Sequence, residues 1–573
     1  MKRNVKLGMA CITLFAIFTG CGDGAAASAN KVNDSVVSSE EGTDIQENAS
    51  EDTKKENIKK ENTAPKLNID MESAIEIVLS DEMITVQGEA VSSDSTQSVY
   101  IANDIIYYES GKDFTYGEGT VEDEHSKEEA DLHTVVHITK PGTYTVSGKL
   151  SNGQIAIDLG EDAKKDPKAV VNLVLNGTDI SCSVAPAVIF YNVYECGLKD
   201  EESATATVDT TDAGANVVIA DGTVNNISGS YVAKIYESVE LNEEGTKVTD
   251  SKKLHKYDAA FYSKRSMNIY GGEEDTGVLN IIAKNEGLDT ELHLTLNGGN
   301  LNIISGNDGI NTNEDNVSVT TINGGTLKIV VDGSTGEGDG IDSNGWLVIN
   351  GGTVVAEACK SSMDAGIDSD KGIHINGGTV VATGNMLDHI SESKQNYAVF
   401  NFAKKQSTGN VYSVKNDESE VVAECTPVND FTYLIFSNSD LTEGTYTAWA
   451  GEAQLMAVAG DSVPSFGMGG GMPDFGNGER PDFENGEMPD FGNGERPNFE
   501  NGERPDFGNG ERPNFENGER PNFENGERPN FENGERPNFE KREKPDETTL
   551  AELSKEFVIT SQGNYFYNTD VAE

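Results

Sequence analysis

The sequence predicts an all-β fold, a parallel β-helix with β caps, flanked by disordered segments. Two observations carry this. A glycine turn recurs at an almost fixed interval, and short alternating apolar runs lie on either side of each turn. Tyr270-Gly271-Gly272, Asn297-Gly298-Gly299, Asn323-Gly324-Gly325, Asn350-Gly351-Gly352 and Asn376-Gly377-Gly378 begin 27, 26, 27 and 26 positions apart. A fixed period of this length is the signature of stacked repeats.

The runs beside the turns, such as Leu347 to Ile349 and Thr353 to Glu357, are rich in β-branched residues and read as strands. Asn-Gly-Gly supplies the left-handed backbone that a sharp corner between two strands needs. Aligned on the corners, Leu296, Ile322, Ile349 and Ile375 form one column, and Leu294, Thr320, Leu347 and Ile373 another. Thr295, Thr321, Val348 and His374 lie between them, so the strands alternate with period two and bury one face. A hairpin meander would alternate similarly. A unit of about 26 residues with two or three short strands and no helix fits one coil of a parallel β-helix better, with coils about 4.8 Å apart.

At the N-terminus, Lys2, Arg3 and Lys6 precede an apolar run from Leu7 to Phe18, which reads as a secretory signal too short to span a bilayer. Phe18-Thr19-Gly20-Cys21 resembles a bacterial lipobox, which makes Cys21 the expected lipid attachment point; an ordinary cleaved signal is the alternative. Residues 1–20 are therefore read as a lipoprotein-type signal and 21–68 as a disordered tether, poor in large apolar residues. As a flexible coil, that tether would span on the order of 40 Å.

Residues 69–256 read as a β-rich cap with irregular coils, 257–390 as the regular coils and 391–460 as a C-terminal β cap, because an open final coil is an adhesive sheet edge. From Pro473 to Pro545 a proline recurs every eight residues, with Phe two positions later through Phe539. Proline and glycine in every octad oppose helix and central strand, so 461–546 is read as a disordered spacer, with docking through its Phe and Arg as the alternative. Residues 547–573 supply a closing strand, seen at Glu556 to Ile559.

Acidic residues number 98 against 43 basic, a formal charge of −55, which excludes nucleic acid as a partner on electrostatic grounds. The six cysteines show no metal-binding spacing; Cys182 and Cys196 are read either as a pair or as free thiols.

A second register accompanies the corners. Asn285-Glu286-Gly287-Leu288-Asp289-Thr290, Asn307-Asp308-Gly309-Ile310-Asn311-Thr312, Gly338-Asp339-Gly340-Ile341-Asp342-Ser343 and Asp364-Ala365-Gly366-Ile367-Asp368-Ser369 share one frame, which Asp258-Ala259-Ala260-Phe261-Tyr262-Ser263 also fits. Stacking places Glu286, Asp308 and Asp339 in one column and Asp289, Asn311, Asp342 and Asp368 in the next. Bare carboxylates about 5 Å apart repel by roughly 3 kcal/mol at an effective dielectric of 20. Hard oxygen donors without thiols or clustered histidines point to Ca²⁺, with Glu286, Asp289, Asp308, Asn311, Asp339, Asp342, Asp364 and Asp368 as candidate ligands. The alternative is that these side chains only make solvated turns.

His374 and His293 have no catalytic partner in the pattern. Lys264 and Arg265 directly follow an Asp-type loop, which invites comparison with the base of Ca²⁺-dependent polysaccharide lyases, although one arginine offers little to hold a uronate.

With Gly142-Thr143-Tyr144-Thr145-Val146-Ser147-Gly148, the Asp258 to Ser263 segment and the Gly-Ile-Asp-Ser and Asn-Gly-Gly repeats, residues 69–460 resemble the bacterial carbohydrate-binding-domain surface lipoproteins, which are similar to pectate-lyase-like right-handed β-helices. The resemblance implies polysaccharide binding at the cell surface, calcium in the β-helix and no established catalysis. Tyr262 and Asn311 depart from the repeat, where Asp is usual. The expected protein is thus an extracellular, monomeric, lipid-anchored polysaccharide binder without catalytic residues, dependent on Ca²⁺. A uronate polymer bridged by the ion suits the acidic loops better than a crystalline surface does. The rivals are a Ca²⁺-dependent lyase, which would release ultraviolet-absorbing unsaturated uronates, and an adhesin or spacer that ignores glycans. The anchor is checked by replacing Cys21 with Ala: the protein should move from the membrane fraction to the medium or persist as precursor, whereas unchanged lipid labelling would refute it.

Overall fold

The computed structural model describes residues 64–460, 553–561 and 563–571. Cys21, the octads and most of the expected tether lie outside them. The described chain is all-β, with one short α-helix at Lys127–Ala130 closed by a Ser126/Glu129 capping box and two brief 3₁₀ turns.

Three parallel ladders organise it. The first joins Ile75–Leu79, the opening halves of Gly142–Leu150 and Val171–Ser181, then Ala215–Ile219, Met267–Gly271, Leu294–Leu296, Val319–Ile322, Trp346–Ile349, Gly372–Ile375 and Ile390–Ser393. The second continues from the closing halves of the two long strands through Val224–Gly229, Val278–Ala283, Asn300–Ser305, Thr326–Val331, Thr353–Glu357 and Thr379–Gly384. The third runs Thr134–Ile138, Gly153–Asp158, Val188–Asn192, Ala259–Ser263, Glu286–Thr290, Ile310–Thr312 and Ile341–Ser343, with Ile367 bridged to Ile341. From Ala259 onward the chain visits third, first and second ladder in turn, and each visit adds one rung to each.

Register produces the core. Leu296 pairs with Ile322, Ile322 with Ile349 and Ile349 with Ile375, the column expected from the corners, and none of the four is more than 2% exposed. Each such side chain contributes roughly 1.5–3 kcal/mol by leaving water. Leu288, Ile310, Ile341 and Ile367 form the inward column of the third ladder.

The corners do more than bend. Only the second glycine of each Asn-Gly-Gly is left-handed, from Gly299 at φ 87° to Gly378 at φ 86°. The asparagines stack: Asn323 Nδ2 donates to Asn297 Oδ1 (2.8 Å), Asn350 Nδ2 to Asn323 Oδ1 (2.9 Å) and Asn376 Nδ2 to Asn350 Oδ1 (2.8 Å). An amide carries both donor and acceptor, so identical amides one rung apart satisfy one another. Asn226, Asn280 and Asn302 make a second such ladder, and Asn172, Asn216 and Asn268 a third.

The ladders begin at Ile75, within the span read as cap and irregular coils, with longer connections between early rungs. Leu67, inside the span read as tether, packs with Ile69 on Val174, Val218 and Tyr270 at the outer face of the first ladder. Between the second and third ladders an antiparallel hairpin, Val232–Leu241 with Val248–Tyr257, is inserted.

Polarity reverses at the far end, as expected of a cap. Phe431–Ser437 pairs antiparallel with both Thr379–Gly384 and Tyr397–Gln406. Gly563–Val571, beyond the octads in sequence, lies parallel to Tyr397–Gln406 and antiparallel to Ala453–Gly460, and Phe557–Ile559 pairs with Gly444–Ala450. Phe400, Phe402, Tyr412, Phe431, Phe557 and Phe566 fill a second core there. The cysteine alternatives resolve to free thiols at Cys182, Cys196, Cys359 and Cys425.

Replacing Asn323 with Ala removes two ladder bonds, the one it donates to Asn297 and the one it accepts from Asn350. Chemical unfolding should show a loss of about 1–3 kcal/mol, against little change for the exposed Lys328→Ala; equal stability of the two would mean the amide ladder contributes nothing.

Candidate functional site

The repeated acidic frame maps onto the third ladder and the corner leading into it. Its glycine has a steric reason. A Cβ on Gly309 would lie 2.2 Å from Ile329 Cγ2 and 2.6 Å from Gly340 O, because successive backbones meet there with no room for a side chain. The following Ile turns inward. The next residue, Asp289, Asn311 or Asp342, turns outward in register, and the final hydroxyl turns in again, where Thr312 Oγ1 and Ser343 Oγ lie 2.8 Å apart.

The structure divides the candidate ligands into two groups. Asp258, Glu286 and Asp289 each present a carboxylate oxygen within 4.8 Å of the others, all three buried. Asn311 Nδ2 donates to Glu286 Oε1 (3.2 Å) and Asn313 Nδ2 to Asp289 Oδ1 (2.7 Å). Three oxygens at this place, Glu286 Oε2, Asp289 Oδ2 and Asn311 Oδ1, are buried without a hydrogen-bond partner. Burial pushes the Glu286 and Asp289 carboxyls well above the ordinary range, and the surrounding carboxylates push them further. The nearby cation is Lys256, 2.6 Å from Asp258 Oδ2, whose ammonium stays charged because Asp258, Glu286 and Asp289 together outweigh its own burial. One ammonium leaves two of the three carboxylates uncompensated. At this separation the two, if both ionised, would repel by roughly 3 kcal/mol at an effective dielectric of 20.

Asp308, Asp339, Asp342, Asp364 and Asp368 form the second, half-buried group. Three of them cap backbone of a neighbouring rung. Asp339 N donates to Asp308 Oδ1 (2.7 Å), Ala365 N to Asp339 Oδ1 (2.5 Å) and Gly338 N to Asp364 Oδ2 (2.6 Å). These bonds tie one rung to the next, and so differ from the local, solvated turns offered by sequence as the alternative to metal ligation. Asp342 and Asp368 continue the outward column, where burial and their neighbouring aspartates raise them to about 6 and about 7. Asp308 and Asp339, raised first by burial, reach about 7 and about 9.

Asp258 and Lys256 were missed as members of the site. Asp258 fits the repeated frame, at the position of Asn285, so the signal was present. Its approach to Glu286 follows from the ladder register, in which Ala259 pairs with Glu286, while the inserted hairpin ends beside it at Lys256 and Tyr257; the Tyr257 ring meets Tyr191 at 5.5 Å and Tyr262 at 5.2 Å, both edge-on. Tyr262, standing where Asp is usual, is buried and donates to Glu291 Oε1 (2.5 Å).

The basic and imidazole groups sit elsewhere. His293 is buried, accepts Val319 N–H at Nδ1 (3.1 Å), and burial depresses it to about 4. His374 lies on the outer face of the first ladder, 3.9 Å from Glu392. Lys264 is lowered by burial and by Arg265 beside it.

A family model of carbohydrate-binding domain-containing proteins matches residues 133–423, just over half of the chain. The chain belongs to the carbohydrate-binding domain-containing protein family. The matched span holds the second and third ladders, all of the first except its opening strand Ile75–Leu79, and every residue of both acidic groups. Among solved structures, a polysaccharide lyase-like protein from C. thermocellum, in its gadolinium derivative, is similar with TM-score 0.31 and 19% sequence identity, over 56% of this chain and 93% of that one. No curated protein matches the sequence at a significant level.

The raised carboxyls set a direction for pH dependence without added cation. Their folded values lie above the unfolded value of about 4, so their stabilisation is complete below that pH and is lost as pH rises through about 6 to 9. In chelator, the melting temperature should therefore fall between pH 5 and pH 9; a flat or rising profile would show that these groups ionise freely.

Proposed function

We propose that this protein is an extracellular, lipid-anchored polysaccharide binder without catalytic activity, built on a right-handed parallel β-helix and stabilised by Ca²⁺. Family membership supports carbohydrate binding. The three in-register parallel ladders support the β-helix. The observation that carries the metal is the set of unpartnered buried oxygens on Glu286, Asp289 and Asn311 beside Asp258. Hard oxygen donors in a buried, net-negative pocket fit Ca²⁺, which takes six to eight oxygens in flexible geometry.

Burial supports a structural role for the ion. Asp289 is wholly buried and Glu286 and Asp258 are 6% and 8% exposed, so an ion among them is shut off from a bound sugar. Ca²⁺ then acts on glycan binding by holding the third ladder and its covering hairpin, and a uronate bridged by this ion has less support than the acidic composition suggested. A lyase would need a base beside the ion. The charged neighbours that act most on half-buried Lys264 are Arg265, Glu291, Lys253 and Asp158.

Calorimetry should register Ca²⁺ binding to the wild-type chain, and Asp289→Asn should weaken it at least about tenfold, which is about 1.4 kcal/mol. Ca²⁺ at a hundredfold excess over its dissociation constant should add about 2.7 kcal/mol of stability, and chelator should reduce retention on immobilised polysaccharide. No binding heat at millimolar Ca²⁺, with melting indifferent to chelator, would overturn the metal reading. Ultraviolet-absorbing product from polygalacturonate would overturn the non-enzymatic one.

A further inference from the structure

A groove of about 750 Å³ runs along the outer face of the first ladder. Its floor is the outward column Thr321, Val348, His374 and Glu392, one residue from each of four paired strands. Three rung spacings make this floor about 14 Å long. One wall is the ladder of corner asparagines; the other is the loop 205–211. The groove is blind at one end, where Thr210 closes over Thr295 with their hydroxyls 2.7 Å apart and residues 65–68 cross the face. Glu392 and Lys394 mark the other end.

We infer that this groove is the glycan-binding bed and that its ligand is the end of a linear, uncharged polysaccharide lying along the strand-stacking direction. The inference rests on the polysaccharide reading above. The asparagine wall repeats the same amide at each rung, which suits a polymer that repeats the same sugar. Hydroxyl and amide groups both donate and accept, matching the hydroxyls of a sugar ring, and Val348 offers an apolar contact for a C–H face. The walls and floor carry few ionisable groups, Asp209, His374 and Glu392 with Lys66 and Lys394 at the ends. In a chain of net charge −55, that gives a polyanion no compensating field.

The test uses the full chain in Ca²⁺, with affinity electrophoresis in soluble neutral glucans, xylans and mannans and in polygalacturonate. Thr321→Val removes a hydroxyl without changing shape, Thr321→Arg fills the groove, and His374→Ala removes the imidazole; Lys328→Ala on the second ladder serves as control. Wild type and control should be retarded by a neutral polymer and not by polygalacturonate. Thr321→Arg should abolish retardation and the two milder variants should weaken it about tenfold, the effect of one or two hydrogen bonds, with unchanged melting temperatures. Retardation of all variants equal to wild type, or selective retardation by polygalacturonate, would overturn the groove assignment while leaving polysaccharide binding intact. A wild-type chain retarded by no polymer would overturn both.

Discussion

Parallel, in-register pairing puts each side chain directly above its counterpart in the next rung, about one strand spacing away. Everything else in this molecule follows from what happens when a residue type is stacked on itself. Aliphatic columns such as Leu296–Ile322–Ile349–Ile375 gain a continuous core. Amide columns gain a chain of hydrogen bonds, since Asn is its own complement. Hydroxyl columns do the same through Thr312 and Ser343. Carboxylate columns are the exception, because like charges at that spacing repel, and the chain resolves this in two ways. Asp308 and Asp339 turn to cap backbone N–H groups of the next rung. Glu286 and Asp289, with Asp258, keep unpartnered oxygens buried together, an arrangement that a divalent cation would neutralise.

The same constraint separates support from recognition. The third ladder, met by the end of the 232–257 hairpin at Lys256 and Tyr257, has its polar outward column buried at Tyr262 and Asp289, which supports a scaffold role. The first ladder leaves Thr321, Val348 and His374 along an open groove, and its asparagine corners rigidify one wall. Rigid, repeated donors on a scaffold that does not reorganise lower the cost of binding a flexible polymer.

Much of this was legible in the sequence because stacking acts residue by residue at a fixed period. The corner spacing gave the columns of the first ladder, and the Gly-Ile-Asp-Ser frame gave the inward Ile and outward Asp of the third. What escaped was whatever depends on contacts outside the period. Corner asparagines read as turn formers, since bonding between amides 26 or 27 residues apart has no local signal. Early rungs, separated by loops of variable length, read as irregular although they share the same ladders. Asp258 sat in the frame, but its partner Lys256 comes from a hairpin that the repeat does not contain, and the docking of Leu67 and Ile69 on Val174 and Val218 is tertiary in the same sense.

The central claim is that stacked acidic residues around Glu286 are compensated by a bound cation. The most direct measurement is a crystal structure grown in Ca²⁺, with anomalous data collected at long wavelength. The account predicts an anomalous peak among Asp258, Glu286 and Asp289, with Asn311 Oδ1 turned toward it. Absence of a peak, with Lys256 Nζ lying between the three carboxylates and bonded to Glu286 Oε2 and Asp289 Oδ2, would contradict it.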